Sequence, residues 1–373
     1  MTTSSTSSTG SNPVEPIAPV EPVEPVEAME PILSVRDLAV HFPVRRGFWQ
    51  RQVGVVRAVD GVSFEVAPGT TLGLVGESGC GKSTTGRALL RLTPATRGTV
   101  RIAGRDVLSL EGKALRDARR NMQMVFQDPY ASLNPRMTVF DTLAEPLILH
   151  GLARNDAAAL PMVRALLDEV GLAGSYLRRY PHEFSGGERQ RIGIARAIAL
   201  KPKLVVADEP VSALDVSIQA QIVNLLVDLQ ERLGVAYVFV AHDLAVVRHV
   251  ASEVAVMYLG RIVERVRTRK LFKEPRHPYT QALLSAIPVP DPVIERTRKR
   301  IVLVGEVPSP LSPPSGCAFH PRCPVAFDRC KTETPALLDR HGSGHWVACH
   351  LQDVAVAGAA HDNTIDAEPA AAP

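Results

Sequence analysis

Residues 76–83 read Gly76-Glu77-Ser78-Gly79-Cys80-Gly81-Lys82-Ser83 and fit the spacing G-x-x-x-x-G-K-[ST], a loop whose chemistry is the holding of phosphates. Glycines let the backbone take positive φ and come close to an anion. Successive N–H groups, backed by the first turn of a helix that includes Thr84, make an anion nest. Lys82 is placed to reach the β- and γ-phosphates of a nucleotide, and the Ser83 hydroxyl to ligate Mg²⁺. The bland alternative is a glycine turn with an exposed lysine. It fits poorly with the short buried strand over 71–75 before the loop and the helical pattern over 83–92 after it. Cys80, inside the loop, reads more simply as a small residue filling its position than as a redox-active thiol.

A second constellation is Asp208-Glu209, which closes the apolar run 204–207. Adjacent acids after a strand end point different ways. Asp208 can hold a divalent cation directly or through water, and Glu209 can polarise an attacking water as general base. Apolar runs ending in Asp-Glu are common, so this pair takes its weight from the phosphate loop upstream. A third is the run Phe184-Ser185-Gly186-Gly187-Glu188-Arg189-Gln190-Arg191, in which Ser185 and two glycines open a helix whose backbone donors suit a γ-phosphate.

The elements that must carry these residues follow from periodicity. A strand is expected over 32–42, a basic loop over 45–51, two strand-like runs ending near Val66, and a turn at Ala67-Pro68-Gly69. Residues 137–182 carry a helical pattern. An amphipathic helix is expected over 216–232 and a buried strand over 235–241. Strands alternating with helices imply an α/β fold with a mostly parallel, helix-covered sheet, interrupted by a helical insertion. No internal repeat is evident, so one nucleotide-binding unit is expected. The 373 residues are 45% apolar and 22% charged, and the net charge of +3 demands no nucleic-acid partner. No apolar run approaches the roughly 18 residues of a membrane span, so a soluble protein, or one held at a membrane by partners, is expected. Residues 1–30 are Ser/Thr-rich and then a Pro-Val-Glu tract, not a signal peptide. They read as a disordered leader, as the Ala-rich 353–373 reads as a disordered tail.

In order and spacing, the phosphate loop, the Ser185-Gly186-Gly187 run and the Asp208-Glu209 strand end resemble the motif set of ABC transporter ATPases. The resemblance implies a P-loop ABC ATPase domain over 31–287, with a mostly parallel core, an antiparallel β subdomain and the helical subdomain at about 137–182. It implies ATP with Mg²⁺, the metal held by Ser83, Asp208 and Gln127. Gln127 matches the family glutamine that also contacts the attacking water, His242 the switch histidine, and Asp215 the end of the loop that crosses a dimer interface. Glu188 stands where many members carry Gln. Adenine stacking falls to Phe42, with Phe48 and Trp49 as competitors. In this family each ATP lies between the loop of one subunit and the Ser185-type signature of another.

Phe126-Gln127-Asp128-Pro129-Tyr130-Ala131-Ser132-Leu133-Asn134-Pro135, Arg276-His277-Pro278-Tyr279-Thr280 and the region 288–352, expected as a small cysteine-containing C-terminal domain, resemble the dipeptide/oligopeptide importer branch. That resemblance implies a second ATPase subunit, two transmembrane permease subunits and an extracytoplasmic solute-binding protein, with this chain peripheral at the cytoplasmic face of the membrane. Importers of nickel or other small solutes, and ABC ATPases outside transport, remain alternatives. Four of the five cysteines, Cys317, Cys323, Cys330 and Cys349, crowd into 33 residues. The clustering favours a metal centre over a disulfide framework. The resemblance implies a [4Fe–4S] cluster. The spacing C-x5-C-x6-C-x18-C does not name the metal, so zinc, with His320, His345 or His350 in place of a cysteine, and uncomplexed thiols stay open.

Overall fold

The computed structural model describes residues 30–49, 51–288, 291–297 and 300–353. The expected leader and tail therefore lie, except for Glu30 and Asp353, outside the described residues. In chain order the strands are β1 (Leu33–Arg46), β2 (Arg51–Val66), β3 (Thr71–Val75), β4 (Arg97–Ile102), β5 (Arg105–Asp106), β6 (Met122–Val125), β7 (Leu204–Asp208), β8 (Ala236–Ala241), β9 (Glu253–Tyr258), β10 (Arg261–Arg267) and β11 (Trp346–Val347). They form two sheets. One is antiparallel, in the order β2-β1-β4-β5. The other runs β11-β10-β9-β3-β8-β7-β6, parallel from β9 to β6 and antiparallel at β10 and β11.

Every residue of β3, β7 and β8 is buried, as parallel strands covered on both faces require. The period-2 alternation divides their side chains between two cores. Leu72, Leu74, Val206, Val238 and Val240 pack toward β1, β2 and helix α1 (Lys82–Leu89). Val75, Val205, Ala207, Phe239 and Ala241 pack toward the helical side. That side is built by helices that follow α2 (Gly112–Arg119) and α3 (Pro129–Ser132): α4 (Val139–Leu149), α5 (Asp156–Glu169), α6 (Gly186–Ile198), α7 (Val216–Leu233) and α8 (Leu244–Val250). Two 3-10 turns, Gly174–Arg178 and Pro181–Glu183, complete the expected helical insertion. Its helices start on side-chain caps. Thr138 and Asp141 form a reciprocal capping box at α4, and Asn155 Oδ1 accepts the N–H of Ala158 at α5 (3.0 Å).

Two local expectations change. The two runs before Val66 are one 16-residue strand, β2, paired to β1 along its whole length. The basic residues Arg45 and Arg46 extend β1, so the loop shrinks to the few positions between Arg46 and Arg51. Four register shifts along the hairpin let so long an antiparallel pair follow the curve of the core.

Beyond α9 (Thr268–Lys273) and α10 (Pro278–Ser285), the described part of 300–353 lies against the main sheet. β11 adds an edge strand. Phe319 is buried among Tyr258 and Tyr279, with ring centroids 5.2 and 5.4 Å away. His345 Nε2 meets Glu264 Oε1 at 2.6 Å with both side chains fully buried.

Candidate active site

β3 leads straight into the phosphate loop, and α1 leads out of it. Gly76, Gly79 and Gly81 take φ of 150°, 79° and 106°, conformations costly for any L side chain. Space is as tight as the torsions. A Cβ on Gly76 would overlap the Met257 carbonyl oxygen, and one on Gly81 that of Ala58. Lys82 is 4% exposed and folds back over the loop, donating from Nζ to the carbonyls of Gly76 (2.8 Å) and Glu77 (3.1 Å). Those weak neutral acceptors hold the ammonium where a phosphate would take it. Cys80 is buried under the same loop, and burial pushes its thiol up, as befits a filler. Ser78 and Gly79 are exposed at the rim, and Thr84 is half-buried in the first turn of α1.

The paired acids face different surroundings. The Asp208 side chain ends β7 fully buried. Its Oδ1 accepts from Ser83 Oγ (2.7 Å), while Oδ2 has no hydrogen-bond donor among the described residues and lies 3.9 Å from Arg87. Burial raises its pKa against the opposing pull of Ser83 and Arg87. A buried carboxylate oxygen left without a donor beside a serine hydroxyl is a fitting place for a hard cation with oxygen ligands. Glu209 takes φ 43°, a strained conformation of the kind held at functional sites. Its N–H is bonded to Val240 O (3.0 Å), and its carbonyl accepts both the N–H and the hydroxyl of Ser212. The twist turns the Glu209 carboxylate away from Asp208. Gln127 Nε2 donates to Glu209 Oε2 (2.9 Å), and His242 Nδ1 lies 3.4 Å from the same oxygen. Three residues from three strand ends thus converge on one point.

Gln127 is held by its neighbours. Asp128 caps α3 through the N–H groups of Tyr130 (2.7 Å) and Ala131 (3.2 Å). From α6, Arg189 lies 3.6 Å over the Tyr130 ring, and Arg196 donates to Ser132 O (2.6 Å). The arginines of this helix therefore bind the chain's own segments. Ser185 and Glu188 form a capping box at the start of α6, where the Ser185 N–H and hydroxyl hold the Glu188 carboxyl below its usual range. Glu188 also accepts from Tyr176 (3.2 Å). Gly186 and Gly187 admit Leu214 and Ile218 so closely that a Cβ on Gly187 would lie 2.7 Å from Ile218 Cγ2. Asp215 precedes α7 as its N-cap residue, exposed and without a cap hydrogen bond. These contacts point the signature residues toward Tyr176, Leu214 and Ile218, not toward the loop at 76–83. Phe42 is 41% exposed on the antiparallel sheet, and Phe48 and Trp49 are more exposed still.

Among the described residues, no three His, Cys, Asp or Glu side chains are grouped to hold a metal ion. The four C-terminal cysteines are all free and share one neighbourhood. Burial, with a smaller contribution from the neighbouring Cys317, Cys323 and Cys330, pushes Cys349 up to about 12. Burial also raises Cys317 and Cys323. Ligation by Cys317, Cys323 or Cys349 would have to displace a proton against that rise. Sequence reasoning missed Arg87, which sits at no motif position, and Arg322, described below; Tyr130 and Arg189 lie inside the quoted runs 126–135 and 184–191, but their packing against each other was not foreseen.

A phosphate loop followed at a distance by paired acids, with a glutamine and a histidine facing the second acid, defines a P-loop ATPase. The Ser185-Gly186-Gly187 helix and its insertion make it a cassette of the ABC type. A family model described as ABC transporter matches residues 59–212, and one described as oligopeptide/dipeptide transporter, C-terminal region, matches residues 263–330. The chain is 54% identical over 327 residues to the oligopeptide transport ATP-binding protein AppF of Bacillus subtilis, covering 86% of this chain and 98% of that protein. It is 51% identical over 324 residues to the oligopeptide transport ATP-binding protein OppF of Salmonella typhimurium, covering 85% and 95%. Its fold matches the dimeric, post-hydrolysis structure of the ATP-binding cassette MJ0796 bound to ADP and Pi with a TM-score of 0.56 and 26% identity, over 64% of this chain and 99% of that one. The chain belongs to the ATP-binding subunits of ABC transporters, in their oligopeptide/dipeptide branch, and hydrolyses ATP.

Proposed function

We propose that this chain powers the import of di- or oligopeptides, paired with a second ATPase subunit beneath two permease subunits at the cytoplasmic face of a membrane, with an extracytoplasmic protein delivering the peptide. The observation that carries the catalytic part is the convergence of Gln127 and His242 on Glu209 Oε2 at 2.9 and 3.4 Å. Glu209 takes the proton of the attacking water, Gln127 orients that water, and His242 faces the γ-phosphate. Lys82 leaves its loop carbonyls for the phosphates. Residues 76–84 wrap them, and Phe42 stacks on adenine. Ser83, Asp208 and Gln127 would hold Mg²⁺, which when bound neutralises phosphate charge. Ser185, Gly186, Gly187 and Glu188, turned away from the chain's own loop, together with Asp215, serve the ATP of the partner subunit. Among the described residues no helix is long and apolar enough to cross a membrane, so transport needs the permease partners.

The cysteine group supports a structural [4Fe–4S] cluster on Cys317, Cys323, Cys330 and Cys349. Such a cluster takes thiolates from four cysteines, which suits four cysteines that share one neighbourhood. Tagged protein drawn from detergent-solubilised membranes should bring a second ATPase, two multi-span proteins and a solute-binding protein. Ribosomal or DNA-associated partners without membrane proteins would overturn the transport reading.

A further inference from the structure

Glu77 places a carboxylate in a loop built to hold anions, where it should repel the phosphates. Arg322, 245 residues further on, grips both of its oxygens, Nη1 to Oε2 at 2.6 Å and Nη2 to Oε1 at 3.0 Å. This is the two-pronged geometry in which guanidinium and carboxylate bind most strongly. The pair is sheltered, with side-chain exposures of 7% for Arg322 and 28% for Glu77, so solvent ions screen it less than a surface pair. The Glu77 backbone is held from the same direction. Its N–H donates to the Tyr279 hydroxyl at 2.8 Å, and Tyr279 is fully buried against Tyr258 and Phe319.

Both contacts come from the stretch 263–330 that matches the transporter C-terminal model, and neither from residues 59–212. Tyr279 lies on α10, and Arg322 in the 3-10 turn His320–Arg322 between Cys317 and Cys323. We propose that Arg322 is a positioning residue for ATP, neutralising Glu77 and fixing the start of the phosphate loop, so that nucleotide affinity depends on the cysteine-bearing segment. Arg322 touches no reacting atom. The inference rests on residues 76–83 being the phosphate site, and the experiment separates the two.

Full-length protein is titrated with a methylanthraniloyl-labelled ATP in the presence of Mg²⁺, thermal melting is followed in parallel, and KM and kcat are read from the assembled transporter. Arg322→Gln weakens binding by about tenfold and raises KM equally, with kcat changed less than about twofold. Arg322→Lys, charged but one-pronged, binds about threefold more weakly than the parent. Adding Glu77→Gln to Arg322→Gln recovers most of the affinity, because the uncompensated charge is gone. A contact that served only folding would not be rescued in this way. Arg322→Gln binding within about twofold of the parent, or a double variant as weak as the single one, overturns the proposal. Should Arg322→Gln fail to melt cooperatively, Arg322→Lys decides, since parent-like affinity there overturns it too. A parent protein that binds no nucleotide refutes the phosphate site itself.

Discussion

Glu209 shows how much a single residue does through its backbone. Its φ of 43° costs on the order of 1 kcal/mol or more, and the bonds from Ser212 and to Val240 hold it there. What the strain gains is direction. Asp208 stays buried beside Ser83, while the next carboxylate swings out to Gln127 and His242. Changing Glu209 to Gln keeps the shape and removes the proton acceptor. The assembled complex should lose turnover by at least about a hundredfold, while ATP binding to the variant stays at the parent level. Parent-rate hydrolysis by that complex would mean the base is another group.

Among elements, the parts written locally in sequence were the legible ones. The phosphate loop, β7 with its two acids, α7 and the helical insertion were all expected within a few residues, because caps, glycine torsions and apolar periods are short-range signals. β4, β6, β9 and β10 were not expected. Strands as short as Met122–Val125 make no period of their own and exist because the sheet supplies their partners. The tie from Arg322 to Glu77 and the His345–Glu264 pair join residues 245 and 81 positions apart, and no local pattern announces them. Local signals can be tested locally. Asn155→Ala removes one cap from α5 and should lower stability by about 1 kcal/mol in denaturant melts, with ATP affinity unchanged. At α10, His277 is buried, and burial lowers its pKa from 6.5 to about 4, while its Nδ1 accepts the Tyr279 N–H (3.1 Å). The unfolded chain takes up this proton first as pH falls, so the contribution is whole above about pH 6.5 and is lost toward pH 4. It amounts to about 2 kcal/mol between about pH 7.5 and 5. His277→Asn keeps a capping oxygen without a titrating ring, so its melts should depend less on pH across that range.

At the scale of the whole molecule, the two halves of an ATP site are both present but face different ways. The loop at 76–83 is closed from behind by Tyr279 and Arg322, whereas Ser185 and its glycines turn to Glu188, Leu214 and Ile218. If the signature works on the partner's nucleotide, damage there must leave this chain's own binding intact. Ser185→Arg places bulk and charge at the start of α6 and gives up a cap worth about 1 kcal/mol, a loss that melting would report. The isolated variant should bind labelled ATP as the parent does, because no contact of Ser185 reaches the phosphate loop. In the assembled complex, ATPase activity should fall by about half if only the partner's site is blocked, and nearly to zero if the two sites must fire together. Weaker ATP binding by the isolated Ser185→Arg chain would mean instead that the signature acts within its own subunit, and the two-subunit site would have to be abandoned.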